Sequence, residues 1–227
     1  MVTHNIIHLV GTCGVVSSQL MNLSVVPSVL EIVAAGSCLS YPSFPIIIGI
    51  TNAIHNILYA ASRNNEYVIL SSLASLLLNT LFLMIHTRYS NKISHILRQL
   101  IYFPVLSTLL SLAVIAHLQS PKACTHLPYF QDCLVSSSNL LGVISTGFST
   151  MSYCGQLSTL RRVLRTRDSS SISPWMTAGV FLRASCWFVY SFLIDDWFYL
   201  TSTSIGIFSA CIQIILLVKY PRSVKLD

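Results

Sequence analysis

The chain has 227 residues, of which 53% are hydrophobic and only 9% charged, with a mean hydropathy of +0.69. Water-soluble domains carry about 25% charged residues, so this composition excludes an ordinary soluble enzyme or nucleic-acid-binding domain and points to an integral membrane protein. At about 20 residues per apolar span, the length allows roughly seven membrane helices with short loops.

In chain order, apolar runs predict spans near 8–32, 44–62, 67–87, 99–118, 134–160, 175–194 and 197–218. His4 and His8 precede the first span at a spacing that places them on one helix face, but two lone imidazoles at a chain end make a poor metal site and none is expected. The first span is interrupted by Ser17, Ser18, Gln19 and Asn22 and lacks a basic leader, so it does not read as a cleaved signal peptide. It also holds Pro27 well inside the apolar run. The polar breaks are short: 63–66, 88–95, 119–132, 161–171 and 195–196, the fourth being the most basic. Cys124 and Cys133 sit in or beside the longest outer loop, where an oxidising exterior permits either a disulfide or free thiols.

The net charge of +6 is an orientation signal first. With the N-terminus outside, Arg88, Lys92, Arg98, Arg161, Arg162, Arg165, Arg167, Lys219, Arg222 and Lys225 fall on the inner side. Only Arg63 and Lys122 fall outside, and this asymmetry predicts an external N-terminus and a cytosolic C-terminus. Arg183 is left over, inside the sixth span. Four residues later stands Trp187, on the same helix face. A mid-membrane charge without a carboxylate at its depth should face polar protein groups or a water-filled cavity. His55 and His117 also lie within spans. His55 is about 100° around its helix from Asn56, and packing against a neighbouring helix is the favoured role for it over proton relay.

Shifting the chain by 131 residues pairs Tyr59 with Tyr190, Ser72 with Thr203, and Arg88-Tyr89 with Lys219-Tyr220; a shift of 129 pairs Pro45 with Pro174. The common offset predicts a duplication of three spans. Three is odd, so an unpaired fourth span is needed to give both copies the same orientation. The expected fold is therefore an all-α membrane protein of seven transmembrane helices, two parallel three-helix repeats joined by a linker helix. Its parts are 1–96, 97–132 (linker helix and outer loop) and 133–227.

The chain resembles the SWEET sugar transporters of the PQ-loop (MtN3/saliva) superfamily. The second repeat carries the likeness through Tyr153, Leu157, Pro174, Trp187, Tyr190, Asp196, Phe198 and Gly206, the first through Pro27, Pro45, Gly49 and Tyr59. The resemblance implies a proline tetrad for bending, read here as Pro27, Pro45, Gln156 and Pro174, with glutamine in place of one proline. It also implies a sugar pocket at the positions of Asn52, Asn56, Ser72, Ser149, Ser152, Arg183, Trp187 and Thr203, with Leu20 and Leu23 on the first helix. Of these only Trp187 keeps the family's residue. A pyranose has an apolar face for an aromatic ring and hydroxyls that need hydrogen bonds. The implied activity is facilitated diffusion of a mono- or disaccharide in the plasma membrane or an endomembrane, without cofactor, metal or nucleic-acid partner, as a homo-oligomer in a lipid bilayer. The alternatives are a carrier of an amino acid or other small anion, favoured by Arg183, and a non-transporting scaffold. No nucleophile–base pair or phosphate loop points to an enzyme.

Overall fold

A computed structural model describes residues 2–38, 41–118, 130–169 and 172–220, and among them every regular element is helical. Helix α1 (Val2–Leu23) stops where the Ser24 N–H bonds back to the carbonyls of Leu20 and Met21 and its hydroxyl donates to Met21 at 2.6 Å. Helix α2 (Val26–Ala35) starts with Pro27 in its first turn. Proline has no N–H to return to the Leu23 carbonyl and its ring crowds that oxygen. The first span is thus two helices. Helix α3 (Phe44–Ser62) and helix α4 (Glu66–Arg88) follow, and Pro45 lies in the first turn of α3.

The fourth span begins earlier than its apolar run. It consists of α5 (Ile93–Leu100), a π-helical turn (Ile101–Leu106) and α6 (Ser107–Leu118). Pro104 sits inside the π turn, whose wider winding moves the clashing carbonyl away from the ring. The Ser107 hydroxyl takes the Phe103 carbonyl there. Helix α7 (Phe130–Thr166) covers the expected fifth span and overruns it at both ends. Half of the break expected at 161–171 is therefore helical, because Arg and Leu are good helix formers once the chain has left hydrocarbon. Helix α8 (Pro174–Leu193) opens on Pro174, and helix α9 (Trp197–Lys219) completes the described chain. Among the described residues, six stretches are long and apolar enough to cross a membrane: His4–Ala35, Phe44–Ser62, Glu66–Arg88, Ile93–His117, Pro174–Leu193 and Trp197–Lys219. Exposed apolar side chains such as Leu77 and Val218 suit lipid rather than water.

The 131-residue offset is visible in the backbone. Asn64 and Asp195, both without the freedom of glycine, adopt φ of 52° and 54° between the second and third helices of each repeat. Each is followed by an N-cap: Asn65 accepts from the Val68 N–H at 3.2 Å, and Asp196 from the Tyr199 N–H at 3.1 Å. The cap residues' own N–H groups reach back to Ala60 and Ser191 at 2.9 Å in both cases. Ahead of the second helix of each repeat, Gly36 (φ 61°) and Arg167 (φ 54°) close α2 and α7 in the same left-handed way. Two residues on, the Cys38 thiol donates to the His86 carbonyl at 3.0 Å and the Ser169 hydroxyl to the Tyr220 carbonyl at 2.9 Å. Burial pushes the Cys38 thiol pKa up, and a hydrogen bond with Ser90 pulls it back.

Contacts divide the chain into two compact units, residues 1–24 with 149–227, and residues 25–148. In the first, α8 packs on both α1 and α9. Gly14 lies against the Trp187 ring, where a Cβ would come within 3.1 Å, and Gly206 lies so close to Tyr153 that a Cβ would meet its ring at 2.7 Å. Tyr153, Val180 and Ala210 form a buried cluster with Met21 and Ile205 against it. In the second, α3 packs along α4 and against the π turn, burying Ile47, Ile50, Leu83 and Ile96. The first helix therefore shares a unit with the second repeat's helices, a division the three-helix repeats do not foretell.

Candidate substrate site

The residues expected to meet substrate fall into two sets. In the first unit, Arg183 and Trp187 occupy one face of α8, and both turn to a single hydroxyl on α1. Ser18 Oγ accepts from the Trp187 indole N–H at 2.8 Å and from Arg183 Nε at 3.2 Å, and donates its own proton to the Gly14 carbonyl at 2.8 Å. Both lone pairs and the proton are used, and Ser18 is fully buried. Trp187 is 2% exposed, with Tyr190 and Tyr199 edge-on at 5.5 and 5.6 Å between centroids. Arg183 is half-buried and also points Nη1 at the Met21 sulfur, 3.8 Å away. Thr203 is buried, its hydroxyl bonded to its own helix at Tyr199 (2.9 Å) and Leu200 (3.1 Å). Ser149 is buried and Ser152 half-buried, on one face of α7. Leu20 and Leu23 are exposed.

The second unit holds Asn52, Asn56 and Ser72. Asn56 is buried and its side-chain oxygen accepts from the Ser145 hydroxyl at 2.5 Å; Asn52, one turn earlier, is half-buried, and Ser72 is buried on α4. His55 is fully buried, with Nδ1 2.8 Å from the Thr51 carbonyl and Nε2 3.3 Å from the Ser111 hydroxyl. A carbonyl only accepts, so Nδ1 carries the proton. The ring also lies 4.5 Å from that of Phe148. The imidazole thus packs against neighbouring helices, the role its position favours.

Pro45 and Pro174 both stand in first turns, where proline is common because the missing N–H had no helical partner. Pro27 follows a break, whereas Gln156 lies within the uninterrupted α7, its side chain outside the described residues. Cys124 lies outside the described residues, as does the side chain of Cys133. Among the described residues no group of three or more His, Cys, Asp or Glu side chains could hold a metal.

Ser18, Ser111 and Ser145 are the polar partners that composition alone did not single out. For Ser18 a signal existed. Gly14-x-x-x-Ser18 is the small-residue spacing that lets membrane helices approach closely.

A polytopic helical membrane protein with a duplicated three-helix frame is the class these features define. The model of the family described as "sugar efflux transporter for intercellular exchange" matches the chain twice, at residues 8–94 and 139–225, again 131 residues apart. The chain belongs to this family. It is 25% identical over 225 residues to the bidirectional sugar transporter SWEET12 of Oryza sativa subsp. japonica, covering 97% of this chain and 70% of that protein. It is 26% identical over 227 residues to the bidirectional sugar transporter SWEET9 of Arabidopsis thaliana, covering 99% and 83%. The solved structure of a eukaryotic SWEET transporter superposes with a TM-score of 0.78 over 96% of this chain and 98% of that one, at 13% identity, which shows a shared fold.

Proposed function

We propose that the protein moves a small sugar, a mono- or disaccharide, down its concentration gradient by alternating access, as a uniporter. The twofold match to a sugar-transporter family over both repeats carries this reading. The names of the relatives from rice and Arabidopsis support it. We assign sugar contact to Asn52, Asn56, Ser72, Ser149, Ser152, Arg183, Trp187 and Thr203, and bending to the positions of Pro27, Pro45, Gln156 and Pro174. The working parts are residues 1–96, 97–132 and 133–227. The protein works as a homo-oligomer without enzymatic activity, with its N-terminus outside and its C-terminus in the cytosol, at the plasma membrane or an endomembrane.

In the sequence, Glu31 lies near the inner end of the first span and Asp195 and Asp196 at the outer end of the sixth, so no carboxylate sits at mid-depth to carry a proton. Uptake of labelled glucose into proteoliposomes should therefore proceed at the same rate with and without an imposed proton gradient. Flux that rises several-fold with the gradient would replace the uniporter with a proton-coupled carrier. Folded protein that moves no sugar would remove the transport reading.

A further inference from the structure

We propose that the substrates include monoanionic sugar acids of the hexuronate class, whose carboxylate pairs with Arg183. The inference rests on the sugar-transport reading and narrows its substrate. Arginine stays charged at every physiological pH and carries five N–H donors in a planar fork. Here Nε goes to the Ser18 hydroxyl and one Nη1 proton toward the Met21 sulfur, both neutral acceptors. Neither cancels the charge. The guanidinium nevertheless stands inside a membrane span and is only half-buried. A charge in a span is expensive unless it is paired or faces water.

The group is also held in place. Ser18 has given its proton to the Gly14 carbonyl, so it acts on Arg183 and Trp187 only as an acceptor, and it is itself buried. The fork is oriented in advance, and what it lacks is an anion. A carboxylate fits a guanidinium with two parallel hydrogen bonds. It also carries one negative charge, so the pair would be neutral within the membrane. A phosphate ester carries about −1.5 to −2 at neutral pH and would leave net charge behind, which favours the carboxylate. The neutral hydroxyls of the same sugar would meet Ser149, Ser152 and Thr203, which belong to the same unit as Arg183.

The test is competition against labelled glucose counterflow in liposomes of zwitterionic lipid containing the full-length protein. Glucuronate and its uncharged isostere glucuronamide are added in parallel. Glucuronate should inhibit at a concentration at least tenfold lower than glucuronamide, and the ratio should collapse tenfold or more in Arg183→Gln, whatever that variant's absolute rate. The comparison of the two competitors on the wild-type protein needs no variant, so a misfolded Arg183→Gln does not spoil it. If glucose moves but glucuronate competes no better than glucuronamide, the inference falls and sugar transport stands. If the wild-type preference exists but persists undiminished in folded Arg183→Gln, Arg183 is not its source and the inference also falls. Absence of any glucose counterflow overturns the sugar reading and this inference with it.

Discussion

Ser18 shows how much of the first unit depends on one hydroxyl. Two of its three hydrogen bonds join α1 to Trp187 and Arg183, and the third, to the Gly14 carbonyl, fixes the hydroxyl on its own helix. Ser18→Ala leaves the buried indole N–H without an acceptor, and an orphaned buried donor costs about 1–3 kcal/mol. Equilibrium unfolding in mild denaturing detergent should show that loss. Ser18→Gly removes the same acceptor and should lose more, because glycine inside a helix costs about 0.5–1 kcal/mol relative to alanine. Arg183 and Trp187 were conspicuous in the sequence as a charge and a large ring in an apolar run. Ser18 was not, because serine is ordinary in membrane helices and its meaning comes from a partner 169 residues away.

Helix positions were legible from hydropathy, and most ends fall within a few residues of the apolar runs. What the runs could not show was the state of the backbone inside them. The π turn at Pro104 and the break before Pro27 answer the same deficit, a missing N–H, in two different ways. Pro27→Ala restores the donor to the Leu23 carbonyl and should fuse α1 and α2 into one helix. Backbone hydrogen exchange at residues 24–26 should slow at least tenfold, and no slowing would mean that Ser24 alone ends α1. Helix α7 makes the complementary case, since it lacks proline at the equivalent place and runs unbroken for 37 residues. The turns before α4 and α9 offer a matched pair. Asn65→Ala and Asp196→Ala each remove a side-chain N-cap worth about 1 kcal/mol. Their destabilisations should agree within about 0.5 kcal/mol, the margin to which independent substitutions behave alike in additivity, and a much larger gap would show that one turn depends on contacts beyond the shared cap.

Across the whole molecule the duplication was readable from a handful of pairs at offsets of 131 and 129, and the left-handed residues at Gly36, Asn64, Arg167 and Asp195 show that it extends to backbone conformation where side chains differ. The charge asymmetry belongs to this scale too. An epitope tag ahead of Met1 should be reached by antibody from outside intact cells, and one after Asp227 only after permeabilisation. The reverse labelling would invert the assigned topology. The grouping of α1 with α8 and α9 was not readable, because apolar periodicity marks which residues avoid water but not which helix covers them.

That grouping sets a clock on the newborn chain. The ribosome adds roughly 5–20 residues per second, so Ser18 emerges on the order of ten to thirty seconds before the Trp187 it must receive. During that interval α1 sits in the bilayer with its small-residue face unclaimed. A chain stopped after residue 132 should leave α1 undocked and open to a protease or a chaperone from the side that Gly14 and Ser18 later close, a difference that limited proteolysis of the truncated and complete chains would reveal.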